Sequence, residues 1–427
     1  MGGSGAQVRA VLVTVGDELL LGQTVDSNAA WLGRELAAMG IPVVRHYTVG
    51  DEVAAIQQVV EWGLDAGDLV VVSGGLGPTP DDMTRDAVAD LLKRPVHIDA
   101  GLLDRLKARF AARGYELPRS NESQAKVPEG AEVLDNEVGT APGLVFDTER
   151  GVVVLLPGPP RELKALFTGH VVRVLRRRFG DALPPVHHRV IHTTGIAESA
   201  LTEEVESLLP ANRGPVRIAY LPDLRGVDLR LTVSGLPEEE ARAWLERVET
   251  AILPAVRPWR FDASSGDLAE AVLTLLRQRR MSLATAESCT GGLVAKRLTD
   301  HAGSSDVFVG GVVAYANELK VSELEVDPGV IERAGAVSEE VASAMAKGVA
   351  ARLGAEAGIG VTGIAGPGGG TVEKPVGTVW MAAAIEGKVR TRLERFVGGR
   401  AAVRERAAQA CLALLLRSVE TMTEPPG

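Results

Sequence analysis

The sequence is poor in cysteine, in aromatic residues and in long apolar runs. It has two cysteines, Cys289 and Cys411, and neither belongs to a CxxC pair, so no disulfide framework is indicated and a reducing compartment fits. Aromatic residues make up 4% of the chain, which leaves Val, Leu, Ala and Ile to build the cores. No apolar run is long enough to span a bilayer, and MGGSGAQVR at the start has no apolar signal region. We expect a cytoplasmic protein with no membrane partner.

Acidic residues outnumber basic ones, so the formal net charge of the chain is −10. Proteins that bind nucleic acid in bulk usually present a basic face, so nucleic acid is not an expected partner, although a local basic pocket for a small phosphate stays compatible. Apolar residues make up 45% and charged residues 24% of the 427 residues. This composition is normal for a folded chain, and the length predicts two or three domains.

Short apolar runs alternate with helical patterns in the first segment. The predicted strands are VRAVLVTV (8–15), IPVVRHYTV (41–49), DLVVVSGG (68–75) and GVVVLLPGPP near residue 152. Helical spacing covers Ser27 to Met39 and Val53 to Leu64. Such alternation predicts a parallel sheet with helices on both faces. Ligands of such sheets bind beyond the carboxyl ends of the strands.

Two further segments follow. The first of them begins after an Arg-rich helix near residues 171–178 and is predicted to be a small α+β module. It contains RVIHTTG, a helix from about Ser199 to Leu209, VRIAYLP and DLRLTV. A break at 255–267 precedes a second α/β segment, which has a helix at 268–279, the strand MSLATA and a C-terminal helix.

Ser288 follows a predicted strand and precedes Gly291 and Gly292. The paired glycines allow a close backbone approach, and the N-terminus of a following helix would offer N–H groups to a developing oxyanion. The alternative is that Glu287, Ser288 and Thr290 only cap that helix, which is the commoner role for a serine in this position.

Lys320 is a candidate base for Ser288, since Ser–Lys pairs are a variant of the catalytic triad. A free lysine titrates near ~10.4, so this role needs its pKa lowered by roughly 3 units, which burial and a neighbouring cation can provide. Tyr315 could hydrogen-bond the pair; a solvated lysine and an ordinary strand tyrosine are the alternatives. Cys289 is the rival nucleophile, but no histidine lies near it in sequence to activate it.

Thr362 ends another predicted strand, before Gly363, Gly366 and Gly368. Glycine-rich turns after strands commonly present N–H groups to phosphate. The pattern is neither GxGxxG nor a Walker A loop, and the sequence has no GxSxG elbow, HExxH or Cys/His metal cluster.

Acidic and glycine-rich loops follow three strands of the first segment. GDELLLGQTVDSN (16–28) carries Asp17 and Glu18, and SGGLGPTPDDMTRDA (73–87) carries Asp81 and Asp82 behind three glycines; LLPGPPRELK is the third loop. Carboxylates beside glycine N–H groups suit a pyrophosphate held through a divalent cation. Helix capping by the aspartates is the alternative, but three such loops at successive strand ends favour a site.

The C-terminal motifs resemble those of the competence/damage-inducible protein A (CinA) family over essentially all of residues 265–420. The motifs are TAESCTGG (285–292), GSS (303–305), YANELK (315–320), GAVSEE (335–340) and VTGIAGPGGGT followed by KPVGTV. The resemblance implies an α/β nicotinamide-nucleotide amidase that needs no cofactor and converts nicotinamide mononucleotide to nicotinic acid mononucleotide and ammonia. It also implies Ser288 as nucleophile, Lys320 as general base, and Tyr315 and Thr362 as supporting hydroxyls. The expected substrate contacts are Gly291, Gly292, Gly363, Gly366, Gly368 and, for the phosphate, Arg400.

The N-terminal loops resemble the molybdopterin-binding-like domain of the same family. This implies a three-layer α/β fold and an ADP-ribose pyrophosphatase activity supported by Mg²⁺, Mn²⁺ or Co²⁺. The expected metal contacts are Asp17, Glu18, Asp81 and Asp82, and the expected substrate contacts are Asn28, Gly74, Gly75 and Gly77. The expected domains are residues 1–172, a KH-like α+β connector at 173–258 without an evident GXXG clamp, and residues 265–427. The family also implies a homodimer.

Two alternatives to a two-activity enzyme of pyridine-nucleotide salvage remain open from the sequence. In the first, the N-terminal domain binds a nucleotide or a pterin without cleaving it. In the second, the protein is an interaction partner in DNA uptake or the damage response, as the family name suggests; the net charge of −10 argues against direct DNA binding.

Overall fold

A computed structural model describes residues 7–112 and 114–421 of the chain. Residues 1–6 and 422–427, which the predicted outer domains include, lie outside the described residues. The chain forms two compact units: one ends at His187 and also contains Val233–Arg242, and the other comprises His188–Thr232 and the chain from Ala243 onwards.

The first unit contains a six-stranded sheet of order β2-β1-β3-β8-β7-β6. Its strands, with the separate β4–β5 pair, are β1 (Ala10–Val15), β2 (Val43–Val49), β3 (Leu69–Ser73), β4 (Val96–Ile98), β5 (Lys126–Pro128), β6 (Glu132–Leu134), β7 (Gly143–Thr148) and β8 (Gly151–Leu156). Its helices are α1 (Asp17–Leu20), α2 (Ser27–Ala38), α3 (Val53–Ala66), α4 (Thr84–Leu91), α5 (Ala100–Ala111), α6 (Pro160–Leu166) and α7 (Val172–Phe179).

Alternate residues of β1 enter two different cores, one on each face of this sheet. Ala10 and Leu12 pack with Leu32 of α2, whereas Val11 and Val13 pack on the other face, in the core that also contains residues of α3 and α4. A strand covered on both faces has no side exposed to water, which explains why five of the six residues of β1 are apolar. The predicted three-layer α/β fold is therefore confirmed. The sheet is mixed: the four predicted strands β1, β2, β3 and β8 pair in parallel, whereas β7 pairs antiparallel with β8 and β6 pairs antiparallel with β7.

The middle segment is a four-stranded sheet of order β10-β11-β9-β12 with two helices. These elements are β9 (Val186–Thr193), α8 (Glu198–Leu208), β10 (Arg217–Pro222), β11 (Val227–Ser234), α9 (Glu238–Val256) and β12 (Arg260–Phe261). Buried and half-buried residues alternate along β11, as expected where one sheet face carries the core. The predicted small α+β fold is confirmed.

The C-terminal segment holds a five-stranded sheet of order β14-β13-β15-β16-β17. Its elements are α10 (Leu268–Arg279), β13 (Leu283–Glu287), α11 (Leu293–Thr299), β14 (Phe308–Val313), α12 (Asn317–Leu324), α13 (Pro328–Ala334), α14 (Glu339–Leu353), β15 (Ala357–Gly363), β16 (Thr378–Ile385), β17 (Lys388–Arg395) and α15 (Arg400–Thr421). The three strands β13, β14 and β15 are parallel, and β16 and β17 are antiparallel to their neighbours. The carboxyl ends of β13 and β15 therefore lie side by side.

Candidate active site

The register of β13 and β15 brings Ser288 close to Thr362. Glu287 at the end of β13 pairs with Val361 of β15, and the N–H of Ser288 continues this ladder by donating to the Val361 carbonyl at 2.9 Å. Thr362 follows at the next position of β15. Two hydroxyl residues that lie 74 positions apart in the sequence thus meet at one edge of the sheet.

A cavity of about 270 Å³ opens at this edge. It is lined by Ser288, Cys289, Tyr315, Asn317, Lys320, Ala336, Val337, Thr362, Gly363, Ile364, Ala365, Gly366, Gly368, Gly369 and Arg400. The structure therefore brings together the four residues predicted as catalytic, three of the predicted glycines and the predicted phosphate contact. Gly291 and Gly292 are not part of this lining; with φ of 59° and 90° they instead form the turn that leads into α11.

Lys320 is 1% exposed and lies on α12. Its amine donates to the carbonyls of Ala314 (2.9 Å) and Tyr315 (3.2 Å), and within the described chain no carboxylate forms an ion pair with it. Burial lowers the pKa of Lys320, and the opposing influence of Cys289 and Glu318 is smaller. A neutral amine has two N–H groups and one lone pair. Since the two carbonyls accept both N–H groups, the lone pair is left for a third partner.

Cys289 lies beside Ser288 but is buried in the apolar core of this domain. Burial raises the pKa of its thiol to about 12. A thiol with such a pKa is protonated near neutral pH, and the thiolate is the nucleophilic form. The environment therefore disfavours Cys289 as the nucleophile.

The carboxylate of Glu287 caps α11. It accepts hydrogen bonds from the N–H groups of Gly292 (2.9 Å), Val294 (3.1 Å) and Ala295 (2.8 Å). The expectation that this helix N-terminus offers free N–H groups to the site was wrong for these three, because a buried carboxylate already neutralises them. The N–H groups of Cys289 and Thr290 interact with the buried Cys289 sulfur, where they oppose part of the rise in its pKa.

The remaining polar groups of the cavity are tied to one another. The Thr362 hydroxyl donates to the Ala336 carbonyl at 2.7 Å. Arg400, the first residue of α15, donates to the Tyr315 hydroxyl (2.7 Å) and to the Gly366 carbonyl (2.8 Å). Arg400 thus joins the strand-end tyrosine to the glycine-rich loop at the cavity.

Sequence reasoning missed two cations beside this site. Arg404, one turn after Arg400, donates to the Thr290 carbonyl at 2.6 Å and 3.2 Å. Lys374 donates to the carbonyls of Ala334 (2.7 Å) and Val337 (2.8 Å). Both contacts join distant parts of the chain, so the sequence does not predict them; the only local signal is that Lys374 lies in the KPVGTV motif.

A second cavity, of about 500 Å³, lies at the carboxyl ends of β1, β3 and β8. It is lined by Val15, Gly16, Glu18, Asp51, Gly74, Gly75, Leu76, Gly77, Pro78, Asp81, Asp82, Gln124, Thr140, Ala141, Pro157, Gly158, Pro159 and Glu162. The three predicted glycines and three of the predicted carboxylates meet here, and Asp17 does not contribute to the lining. Gly74 and Gly75 have φ of 107° and 66°, a backbone conformation that favours glycine.

Asp82 and Asp17 organise the loops around this cavity. The Asp82 carboxylate accepts from the N–H of Gly77 (2.7 Å), from the N–H of Thr79 (2.8 Å) and from the Thr79 hydroxyl. Asp17 and Asp51 exchange backbone N–H to carboxylate bonds at 3.0 and 3.3 Å. The oxygens of Asp17 and Asp82 are thus partly used in loop hydrogen bonds, and their role as metal contacts stays a prediction.

Asp51 and Glu162 are acidic residues of this cavity that sequence reasoning missed. Burial and the neighbouring charges of Asp17, Glu18 and Asp81 raise the pKa of Asp51, against a hydrogen bond from the Asp17 backbone. In the part of the chain that the structure describes, no group of three or more His, Cys, Asp and Glu residues is arranged to hold a metal ion by itself. The predicted Asn28 lies on α2 and donates to the Ser73 hydroxyl (3.1 Å) and the Gly158 carbonyl (2.7 Å). It lines a small adjoining cavity of about 100 Å³.

Across residues 7–112 and 114–421, none of the helices combines the length and the apolar character that a membrane span requires.

Comparisons with known proteins match all three segments. Residues 11–177 match a probable molybdopterin binding domain, residues 188–261 match the damage-inducible protein CinA KH domain, and residues 265–419 match the CinA C-terminal domain. A solved structure described as the protein CinA with unknown function, from Thermoplasma acidophilum, is 37% identical, covers 39% of this chain and 98% of that chain, and has a TM-score of 0.37.

Two relatives match almost end to end. A CinA-like protein of Gemmatimonas aurantiaca is 46% identical over 409 residues, which are 95% of this chain and 95% of that protein. A putative competence-damage inducible protein of Moorella thermoacetica is 41% identical over 417 residues, 98% of this chain and 100% of that protein. With this identity over nearly its whole length, and with its three domains in order, the chain belongs to the CinA family of competence/damage-inducible proteins.

Proposed function

We propose that the C-terminal cavity is an amidase site that hydrolyses the carboxamide of nicotinamide mononucleotide. The observation that carries this proposal is the position of Ser288 and Lys320. A serine and a buried lysine without a carboxylate partner line one cavity, and burial lowers the pKa of that lysine. A lysine whose pKa is lowered is neutral over a wider pH range, and in that form it can accept the proton of a serine hydroxyl.

In the proposed reaction, the Ser288 oxygen attacks the carboxamide carbon while its proton passes to the Lys320 amine. The oxyanion that forms requires backbone N–H donors at the carboxyl ends of β13 and β15, where the cavity lies. The proton returns from Lys320 to the leaving nitrogen, which departs as ammonia. Water then attacks the Ser288 ester and releases the carboxylate product, so that one amide and one water give one acid and one ammonia.

The cation at the edge of the cavity supports a nucleotide substrate. Arg400 lines the cavity at the N-terminus of the long helix α15. A guanidinium beside a helix N-terminus is a favourable place for a phosphate group. We therefore assign the 5′-phosphate of the mononucleotide to Arg400.

Ammonia release from nicotinamide mononucleotide by the full chain, with a chelator present and the acid product identified, tests this proposal. Ser288→Ala should lower the rate at least roughly a thousandfold, whereas Ser322→Ala, an exposed serine on α12, should not change it. Near-normal turnover by Ser288→Ala would refute the role of the serine. Salt-dependent binding of DNA by a chain that releases no ammonia would favour the interaction protein.

For the N-terminal cavity we propose hydrolysis of ADP-ribose to AMP and ribose 5-phosphate. Glu18, Asp51 and Asp81 line this cavity together with the glycine-rich loops. Burial first, and then the negative charges of Asp17, Glu18 and Asp81, raise the pKa of Asp51, and such a group of carboxylates suits a divalent cation. Mg²⁺ is usually held by one or two carboxylates together with substrate phosphates, so Glu18, Asp51 and Asp81 fit it although they form no complete cage. Such a cation would neutralise the diphosphate charge. The Gly77 N–H donates to Asp82 and the Gly74 N–H to the Leu156 carbonyl, so the N–H groups of Gly75 and Leu76 are the ones proposed to bind and orient the diphosphate.

AMP release from ADP-ribose in the presence of Mg²⁺, Mn²⁺ or Co²⁺ tests this second activity. Intact ADP-ribose with all three cations would leave a nucleotide- or pterin-binding domain that does not cleave its ligand.

A further inference from the structure

One wall of the amidase cavity is the short segment 334–337 between α13 and α14. Ala336 and Val337 line the cavity. Three of the four carbonyls in this segment are held by side chains from elsewhere: those of Ala334 and Val337 accept from Lys374, and that of Ala336 accepts from the Thr362 hydroxyl. The position of this wall therefore depends on side chains of β15 and of the glycine-rich loop.

The bond to Ala336 fixes the direction of the Thr362 hydroxyl proton. A carbonyl oxygen can only accept, so the hydroxyl must donate in the 2.7 Å contact. A hydroxyl has one proton, and its two lone pairs then remain for a ligand. Thr362 is thus an acceptor toward the cavity that it lines. A carboxamide NH₂ group can donate to it, whereas a carboxylate can only accept and is repelled.

Lys374 fixes the wall against which Thr362 is oriented. Its half-buried ammonium forms no ion pair with a carboxylate in the described ranges. A tight turn, in which Thr371 donates its N–H to the Lys374 carbonyl at 2.9 Å, connects it to the glycine-rich loop. A β-carbon on Gly335 would lie 3.2 Å from the ammonium, so the glycine leaves room for this contact.

We propose that Lys374 is a positioning residue that lets the site distinguish a carboxamide from a carboxylate. By holding the carbonyls on both sides of Ala336, it keeps the Ala336 carbonyl in place as the acceptor of the Thr362 proton. The site then favours the amide substrate over the acid product of the same reaction. This inference rests on the amidase function proposed above.

The experiment measures KM for nicotinamide mononucleotide and the inhibition constant Ki for nicotinic acid mononucleotide with the full chain. Lys374→Met should lower the ratio of Ki to KM about tenfold, because a rotated Thr362 hydroxyl can donate to a carboxylate. Lys374→Arg, which can still donate to two carbonyls, should restore the ratio to within about threefold of the unmodified value. Lys388→Met, at an exposed position on β17, is the matched control and should leave the ratio unchanged.

An unchanged ratio in Lys374→Met, with only kcat or thermal stability altered, would show a merely structural lysine and overturn the inference while the amidase assignment stands. Failure of the unmodified chain to release ammonia would overturn both. If Lys374→Met does not fold, Lys374→Gln is used instead. Its side chain is shorter and ends in an amide, so the ratio of Ki to KM should again fall.

Discussion

The two cavities occupy equivalent places, at the carboxyl ends of parallel strands, but they treat their charged groups differently. In the C-terminal cavity, Lys320 is buried without a carboxylate partner, and its pKa is lowered. In the N-terminal cavity, Asp82 is held by three donors of its own loop, and Asp51 has its pKa raised by burial and by other carboxylates. Under the proposed functions, the first cavity would use its buried amine as a base for proton transfer. The second would use its carboxylates to bind a divalent cation.

Among the substitutions that test this comparison, the largest loss of amidase activity is expected at Lys320. Lys320→Met should lower the kcat/KM for amide hydrolysis roughly a thousandfold, as for other members of a nucleophile–base pair. In the unmodified chain, kcat/KM should fall as pH decreases and Lys320 becomes protonated, with a midpoint below the usual lysine range. A pH profile of ammonia release measures both, and a flat acid limb would contradict the assignment.

The same residue should make stability depend on pH. Because burial lowers the pKa of Lys320 in the folded state, the unfolded chain binds more protons between the two pKa values. The free energy of unfolding should therefore rise with pH through that window, by about 1.4 kcal/mol for each unit of difference. Urea unfolding of the unmodified chain and of Lys320→Met, from about pH 6 to about pH 10, checks this. Parallel curves for the two proteins would argue against a shifted lysine.

The next largest effect is a loss of stability on substitution of Glu287, the carboxylate that caps α11 in the C-terminal domain. Glu287→Ala removes the acceptor of three N–H groups at the start of α11 and should cost about 2–3 kcal/mol of unfolding free energy. Glu332→Ala, an exposed position on α13, is the control. Equal urea midpoints for the two variants would contradict the capping role.

Substitutions of the adjacent residues Asp81 and Asp82 should distinguish a structural role from cation binding in the N-terminal cavity. Asp82→Ala should destabilise the chain by about 1–2 kcal/mol, because it unpairs the loop N–H groups of Gly77 and Thr79. Asp81 is exposed, so Asp81→Ala should leave stability unchanged and instead raise the Mg²⁺ concentration needed for AMP release. Thermal unfolding and a Mg²⁺ titration distinguish the two residues, and the reverse pattern would exchange their roles.

The smallest effect is expected at Cys289. Its thiol, with a pKa raised to about 12, carries no nucleophilic charge near neutral pH. Cys289→Ala should therefore change kcat/KM by less than about threefold. A loss of activity as large as that of Ser288→Ala would reverse the choice of nucleophile.

The strong periodic elements of this chain could be predicted from the sequence, and the edges of its sheets could not. Buried runs such as those of β1 and β3 are apolar on both faces, and α14 is signalled by the Ser338 cap, whose hydroxyl accepts from the N–H of Val341. The antiparallel strand β17, KVRTRLER, has only two apolar residues among its eight and carries no comparable apolar run. The pairing of β6 with β7 depends on packing between segments rather than on local propensity.

The candidate sites likewise contain residues that sequence motifs located and contacts that the sequence did not predict. Motifs located Ser288, Lys320, Tyr315 and Thr362, and all four line one cavity. The contacts of Lys374 with Ala334 and Val337 span about forty residues of the chain, and the proximity of Asp51 to Asp17 and Asp81 depends on the arrangement of three loops. Sequence spacing carries no information on such distant contacts until the sheet is assembled.

A double-mutant cycle on the amidase reaction tests the central claim most directly, because it asks whether Ser288 and Lys320 act as one unit. Ammonia release is measured for the unmodified chain, Ser288→Ala, Lys320→Met and the double variant. The account predicts that each single change costs at least about a thousandfold and that the double variant loses hardly more than either one. Losses that multiply in the double variant would contradict the pairing of these two residues.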